Sequence, residues 1–327
     1  MNSKLAFFDR QTVFLLLLGA MVAMAKGFPY KAHYSVWFDL PGFIDWGIAG
    51  IFLLYGLKLD FRSVGRDLSN WRLHLLVQFG TFVLFPVLVL LFYGLVRGGA
   101  YELLWLACFF LACLPSTVSS SVVMVSMARG NVTSAIFNAS VSGWIGVVVT
   151  PLLMGLFLTS SGVTESDGAV FRQLLLKVIL PIGLGGLLNP LFRKTVSRYG
   201  KVISEFDRLV ILLIVYESFS KAFTERVFAE IPLVQLAGLS GFVIGLFFVV
   251  YEVLRRLAVT MGFGREDTIT ATFCGSKKSL VHGSLFVMVL GISPEQKVIF
   301  LLPVMIYHSF QLFYVSWLAN RLARETS

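Results

Sequence analysis

Phe273-Cys-Gly-Ser-Lys-Lys-Ser-Leu-Val-His-Gly283 places two adjacent lysines, a histidine, two serines and two glycines in the middle of an apolar run over residues 267–291. A second interruption, Cys113-Leu-Pro-Ser-Thr-Val-Ser-Ser-Ser121, sits inside the apolar run 102–127. Both breaks are short, small and polar. Both begin beside a cysteine, and an apolar helix resumes after each. Non-helical backbone is tolerated at membrane depth only where protein or a water-filled cavity satisfies its polar groups. Half-helix ends present unpaired N–H and C=O groups, which attract anions and cations respectively. A lone serine-rich stretch reads as close helix packing. Paired breaks in corresponding helices point to a transport site.

The composition around these breaks is that of a membrane protein. Of 327 residues, 57% are hydrophobic and 14% charged, against roughly 45–50% and about 25% in a soluble domain. Disorder is excluded, because it requires low hydrophobicity and high charge. Three cysteines, Cys108, Cys113 and Cys274, all lie within apolar runs. They are too few for a four-cysteine zinc site and give no disulfide framework.

A membrane helix needs ~20 mostly apolar residues, and ten segments qualify: 12–30, 43–59, 73–96, 102–127, 131–159, 169–192, 203–224, 231–254, 267–291 and 295–320. They leave no room for a soluble domain, and they lack the alternation of a membrane barrel. Ala23-Met24-Ala25 after the apolar stretch from Val13 imitates a signal cleavage site. Retaining that helix keeps the count even and divisible into halves. With a cytoplasmic N-terminus, 17 of the 27 Lys and Arg fall in inner segments and 8 in outer ones. That bias favours both termini inside. It also explains the net charge of +9 by cytoplasmic loops rather than by nucleic acid. Five helices per half is an odd number, so the second half enters from the opposite side. The expected fold is therefore an all-α integral membrane protein of ten transmembrane helices in two inverted five-helix repeats, 1–160 and 161–327. It would sit in the inner (plasma) membrane if bacterial.

Several segments together resemble the bile acid:sodium symporter family, in its SBF-like branch, which contains the seventh member of human solute carrier family 10. They are Leu73–Gln78, Leu114–Ser121, Ala128-Arg-Gly-Asn131, Ala135-Ile-Phe-Asn138, Thr150-Pro-Leu-Leu153, Phe273–Leu280, and Pro303–His308 with Gln311. The resemblance implies a panel domain from helices 1, 2, 6 and 7 and a core domain from helices 3–5 and 8–10. The broken helices 4 and 9 would cross in the core. Substrate would bind beside the crossing, at Pro115, Ser116, Thr117, Ser276, Lys277 and His282. In sodium-coupled members, Na⁺ is held by a Ser-Asn pair in helix 4, hydroxyls of helix 5, and a Glu and a Gln in helix 9. Here the helix 4 position reads Ser119, Ser120 and Ser121. Helix 9 has no acid, and Ser276, Lys277 and Lys278 occupy its break. The resemblance also matches Gln78, which shares a helix face with His74, to a glutamine that reaches the second sodium site.

The residues themselves sharpen this reading. A charge at the bilayer centre costs at least ~2.5–3.5 kcal/mol, so it faces a cavity or a partner. Lys277 and Lys278 are central in their span. The alternative, snorkelling to an interface, fits that position poorly. Adjacent helical residues diverge, which directs Lys278 towards the cation region and Lys277 towards the substrate cavity. A lysine ammonium then stands in for sodium, or it titrates. Ser134, Asn138 and Ser142 recur at i, i+4 and i+8 on one face of helix 5, which lines a site or bonds a neighbouring helix. His282 shares a face with Lys278, and His308 with Gln311. Each histidine is a structural hydrogen-bonder or a proton relay.

Glu217 and Lys221, at i and i+4, read as a helix-end ion pair or a panel contact with substrate. Gly241-Phe-Val-Ile-Gly245 reads as a close-packing face. Gly183, Gly185 and Gly186 near Pro181 read as a bend in helix 6, and 193–208 as a basic loop meeting lipid headgroups.

The function that follows is alternating-access secondary transport of a small organic anion. Coupling is to Na⁺, to H⁺ or to nothing, with no other cofactor. Membrane lipids are the only other partner, and no oligomer is required. The competing class is a non-transporting regulator or sensor linked to ion (calcium) homeostasis. No nucleophile–base pair or HExxH motif suggests an enzyme.

Overall fold

The computed structural model describes residues 2–30, 39–57, 70–117, 119–160, 175–226 and 232–324. Among the described residues, all regular structure is helical. In chain order the helices are α1 (Asn2–Gly27), α2 (Leu40–Leu57), α3 (Trp71–Leu90), α4a (Glu102–Cys113), α4b (Ser119–Met127) and α5 (Val132–Ser160). They continue as α6 (Leu180–Arg198), α7 (Gly200–Thr224), α8 (Leu233–Thr260), α9a (Arg265–Gly275), α9b (Leu280–Val289) and α10 (Pro294–Arg324). Both expected breaks are present, between α4a and α4b and between α9a and α9b. Five helices among the described residues are long and apolar enough to cross a membrane: Leu40–Leu57, Trp71–Leu90, Val132–Leu158, Leu233–Thr260 and Glu295–Arg324. Part of the evidence for orientation, Lys31, Lys58, Arg62, Arg66 and Arg172, lies outside the described residues, as do the polar connection after 160 and the start of the sixth span.

Two sets of helices pack separately. α2 lies along α6 and α1 along α7. α3, α4a, α4b, α5, α8, α9a, α9b and α10 pack on one another. The sets meet chiefly where α7 lies against α9b and α10. Glycine decides the first set. A Cβ at Gly185 would overlap the Leu53 carbonyl, and one at Gly56 would overlap the Ile182 carbonyl. Gly185 and Gly56 thus let α2 and α6 touch through their backbones, whereas a Cβ at Gly183 meets nothing within 4 Å. The GxxxG reading is corrected. A Cβ at Gly241 or Gly245 meets nothing within 4 Å, because that face of α8 points outward. The expected basic loop is also mostly helix. α6 runs to Arg198, and α7 begins at Gly200. Basic side chains complement the carbonyl end of α6, which favours its extension.

α3 carries a defect that composition did not reveal. Gly80–Leu84 is π-helical, and the Phe85 N–H reaches back to the Gly80 carbonyl. In this register the next donor would serve the Thr81 carbonyl. That residue is Pro86, which has no N–H. The Thr81 carbonyl is therefore left for a partner outside the helix.

Candidate functional site

The two breaks meet, at a point termed the crossing, and bond directly: the Ser279 N–H donates to the Pro115 carbonyl at 2.9 Å. Ser116 ties both neighbours, with its Oγ on the Cys274 carbonyl at 2.6 Å and its N–H on Ser142 Oγ at 2.9 Å. A helix end leaves carbonyls without intrahelical donors, and at the end of α4a the carbonyls of residues 111–115 each find a partner. Leu114 N–H takes Leu111, Thr150 Oγ1 takes Cys113 at 2.7 Å, and Ser279 takes Pro115. The remaining two, Ala112 and Leu114, receive the Lys278 ammonium at 2.6 and 2.8 Å.

Lys278 Nζ makes a third bond, to the Thr81 carbonyl at 2.7 Å. Three acceptors match the three N–H groups of an ammonium. The Phe85 ring covers the remaining side, with its centroid 4.2 Å from Nζ. The side chain is 0% exposed, so it does not snorkel. Bonds to a charged donor contribute about 1.5–3 kcal/mol each and a desolvated cation–π contact about 2 kcal/mol. Together these outweigh the minimum insertion cost of about 2.5–3.5 kcal/mol. The negative end of the α4a dipole adds to the balance.

Gln311 grips the backbone of the same residue. Its Oε1 accepts from the Lys278 N–H at 2.9 Å, and its Nε2 donates to the Lys278 carbonyl at 2.7 Å. His308 Nδ1 lies 2.9 Å from that amide. On α9a, the Ser276 Oγ donates to Thr272 O at 2.6 Å, and Tyr307 donates its hydroxyl to the Ser276 carbonyl.

Lys277 turns the other way. It is also fully buried, and its Nζ meets the Ser120 carbonyl at 3.0 Å and the Met124 thioether at 2.7 Å. Its ammonium lies against α4b. Among the described residues, neither lysine has a carboxylate partner, and no group of three metal-ligating side chains occurs.

Asn138 and Ser142, on the polar face of α5, both bond neighbouring segments. Ser142 anchors Ser116. Asn138 donates to the Ser134 carbonyl and to His74 Nδ1, each at 2.9 Å, and its Oδ1 accepts from Gln78 Nε2 at 3.2 Å. Gln78 Oε1 is buried without a partner. At the start of α4b, Thr117 Oγ1 joins Ser120 Oγ and Ser121 Oγ at 2.8 and 2.9 Å. Ser119 opens that helix, and its side chain lies outside the described residues. Ser279 caps α9b, and its hydroxyl lies 2.9 Å from His282 Nδ1. From α2, Tyr55 tilts over His282 with centroids 5.2 Å apart, and Phe52 stacks on Phe286. The Glu217–Lys221 pair forms at 2.7 Å, and the second Glu217 oxygen is buried without a partner.

The crossing thus gathers Pro115, Ser116, Ser142, Ser276 and Lys278, with Thr117, Ser120, Ser121 and Lys277 along α4b and Gln78, Ser134 and Asn138 on the α3–α5 side. Sequence reasoning gave no site role to Thr81, Phe85, Thr150, Tyr307 or Tyr55, although Thr150 and Tyr307 lie in segments that carry the family resemblance. Pro86 inside an apolar run was the one available signal for the first two.

Interrupted helices whose breaks bond to each other within an apolar helical bundle fit an integral membrane transporter. The model of the SBF-like CPA transporter family matches residues 12–324, and the chain belongs to that family. An uncharacterised protein of Pseudomonas aeruginosa is 37% identical over 95% of this chain and 93% of its own length. The protein YfeH of Escherichia coli, named a symporter, is 34% identical over 96% and 93%. Sodium/bile acid cotransporter 7 of Mus musculus is 30% identical over 84% and 83%.

Proposed function

We propose that the protein is a secondary active transporter of small organic anions that works by alternating access. In this reading the chain forms ten transmembrane helices in two inverted five-helix repeats, 1–160 and 161–327, with both termini in the cytoplasm. α1, α2, α6 and α7 are the panel, and the remaining helices are the core. The observation that carries the anion is the charge at the crossing. The N-terminal ends of α4b and α9b converge there, and two buried lysines stand nearby with no carboxylate partner among the described residues. Both features favour a negative ligand. Ser116 and Ser276 already spend their hydroxyls on carbonyls. Substrate contact then falls to the backbone N–H groups of the two first turns, to Thr117 and to the His282 ring, with Lys277 supplying field. The Phe52–Tyr55 rings against His282 and Phe286 give panel and core an aromatic plane of contact, which separates at lower cost than an ion-pair network.

Reconstituted liposomes test the reading. Taurocholate and smaller carboxylates such as lactate are offered under imposed pH and sodium gradients. Saturable uptake above that of empty liposomes is expected for at least one anion. Lys277→Ala should lower it about tenfold or more, the equivalent of losing ~1.4 kcal/mol. Uptake indistinguishable from empty liposomes for every anion and gradient would favour a non-transporting role in ion homeostasis.

A further inference from the structure

We infer that Thr81, Ala112, Leu114 and Phe85 form a monovalent-cation cage whose permanent occupant is the chain's own Lys278 ammonium. Three carbonyl oxygens from two helices converge on one nitrogen at 2.6–2.8 Å, and an aromatic face closes the remaining side. This is the donor set that recognises a small cation: hard oxygens without formal charge, and a ring quadrupole. The oxygens are not supplied by accident of packing. Thr81 O is released by the π turn and cannot be reclaimed, because Pro86 has no N–H. Ala112 O and Leu114 O are terminal carbonyls of α4a, at the negative end of its dipole. The Lys278 backbone is held on both sides by Gln311, so the ammonium is delivered from a fixed point. The cage has a net charge only because the lysine brings one.

A tethered occupant does not dissociate. The occupant that closes the crossing is thus present at every sodium concentration. The transport consequence, that sodium is dispensable, rests on the proposed anion-transport reading. The cage itself does not. Removing the side chain beyond Cβ leaves three carbonyls and a ring facing the space vacated by three methylenes and an ammonium, and that cavity should bind a free cation.

Thermal unfolding of the detergent-purified protein tests this without any substrate. Ammonium, methylammonium, sodium and potassium chlorides are titrated against N-methyl-D-glucamine chloride at constant ionic strength. Wild type should show no cation-specific shift. Lys278→Ala should unfold at a lower temperature and regain stability saturably with ammonium or methylammonium, by roughly 3 °C for each tenfold excess over Kd. Lys278→Met, whose neutral chain fills the cage, should be destabilised and unresponsive. A saturable sodium-specific shift in wild type overturns the proposal, as does a Lys278→Ala protein indifferent to every small cation. If Lys278→Ala does not survive purification, membranes are solubilised in ammonium chloride and in N-methyl-D-glucamine chloride. Folded protein recovered only in ammonium supports the cage, and equal recovery or equal loss in both overturns it. Failure of liposome uptake leaves these outcomes unaltered, so the two readings fail separately.

Discussion

Lys278 and Gln311 hold each other through the backbone, and that contact is open to a direct test. Gln311 is fully buried, and its amide serves both the N–H and the C=O of Lys278. Gln311→Leu keeps the volume and strands two backbone groups, each at a desolvation cost of about 1–3 kcal/mol. We expect a loss of about 2–5 kcal/mol, read as a lowered unfolding midpoint. Thr150→Val should cost less, about 1–3 kcal/mol, because only the Cys113 carbonyl loses its donor. If Thr150→Val is the more damaging, the grip on Lys278 is not the stronger closure. The lysines were legible as residues, since two charges in the middle of an apolar run demand partners. Their partners were not. The amine of Lys278 bonds residues 164, 166 and 197 positions away in the chain, and no local pattern encodes that.

At the level of the single helix, α3 makes the sharpest case. A proline within a helix normally costs ~3 kcal/mol, so Pro→Ala normally stabilises. Here Pro86→Ala supplies an N–H that competes with Lys278 for the Thr81 carbonyl. We expect Pro86→Ala to lower the unfolding midpoint, against the usual sign, and a raised midpoint would show that the π turn does not serve the lysine. Broken helices 4 and 9 were readable because small polar residues cluster where continuous apolar sequence is otherwise required. The π turn was not, because Gly80–Leu84 is as apolar as its surroundings. Only the hydrogen-bond register distinguishes it. Helix ends were read less well than helix existence: α6 and α7 run through residues whose charge suggested a loop, because a basic helix terminus is as favourable as a solvated one.

Across the molecule, glycines report which faces meet. Gly185→Val should prevent α2 and α6 from docking and lower the yield of folded protein, since its Cβ would overlap the Leu53 backbone. Gly241→Val should change stability by no more than about 0.5 kcal/mol either way, because its Cβ would meet open space. Fluorescence-detected size exclusion of both variants checks the contrast. Both are glycine motifs in apolar sequence, and among the described residues the one with the familiar GxxxG spacing meets no neighbour. Local composition determined the membrane class, the apolar runs and both breaks. Each of those follows from the cost of placing polar groups in hydrocarbon, which is paid residue by residue wherever the neighbours lie. The carbonyls that Lys278 meets, the turning of Lys277 towards α4b, the commitment of Asn138 and Ser142 to neighbouring segments, and the docking of α2 on α6 were decided by the assembled bundle. Those are pairings between distant segments, and a hydrogen bond or a backbone contact exists only once both partners are held in place.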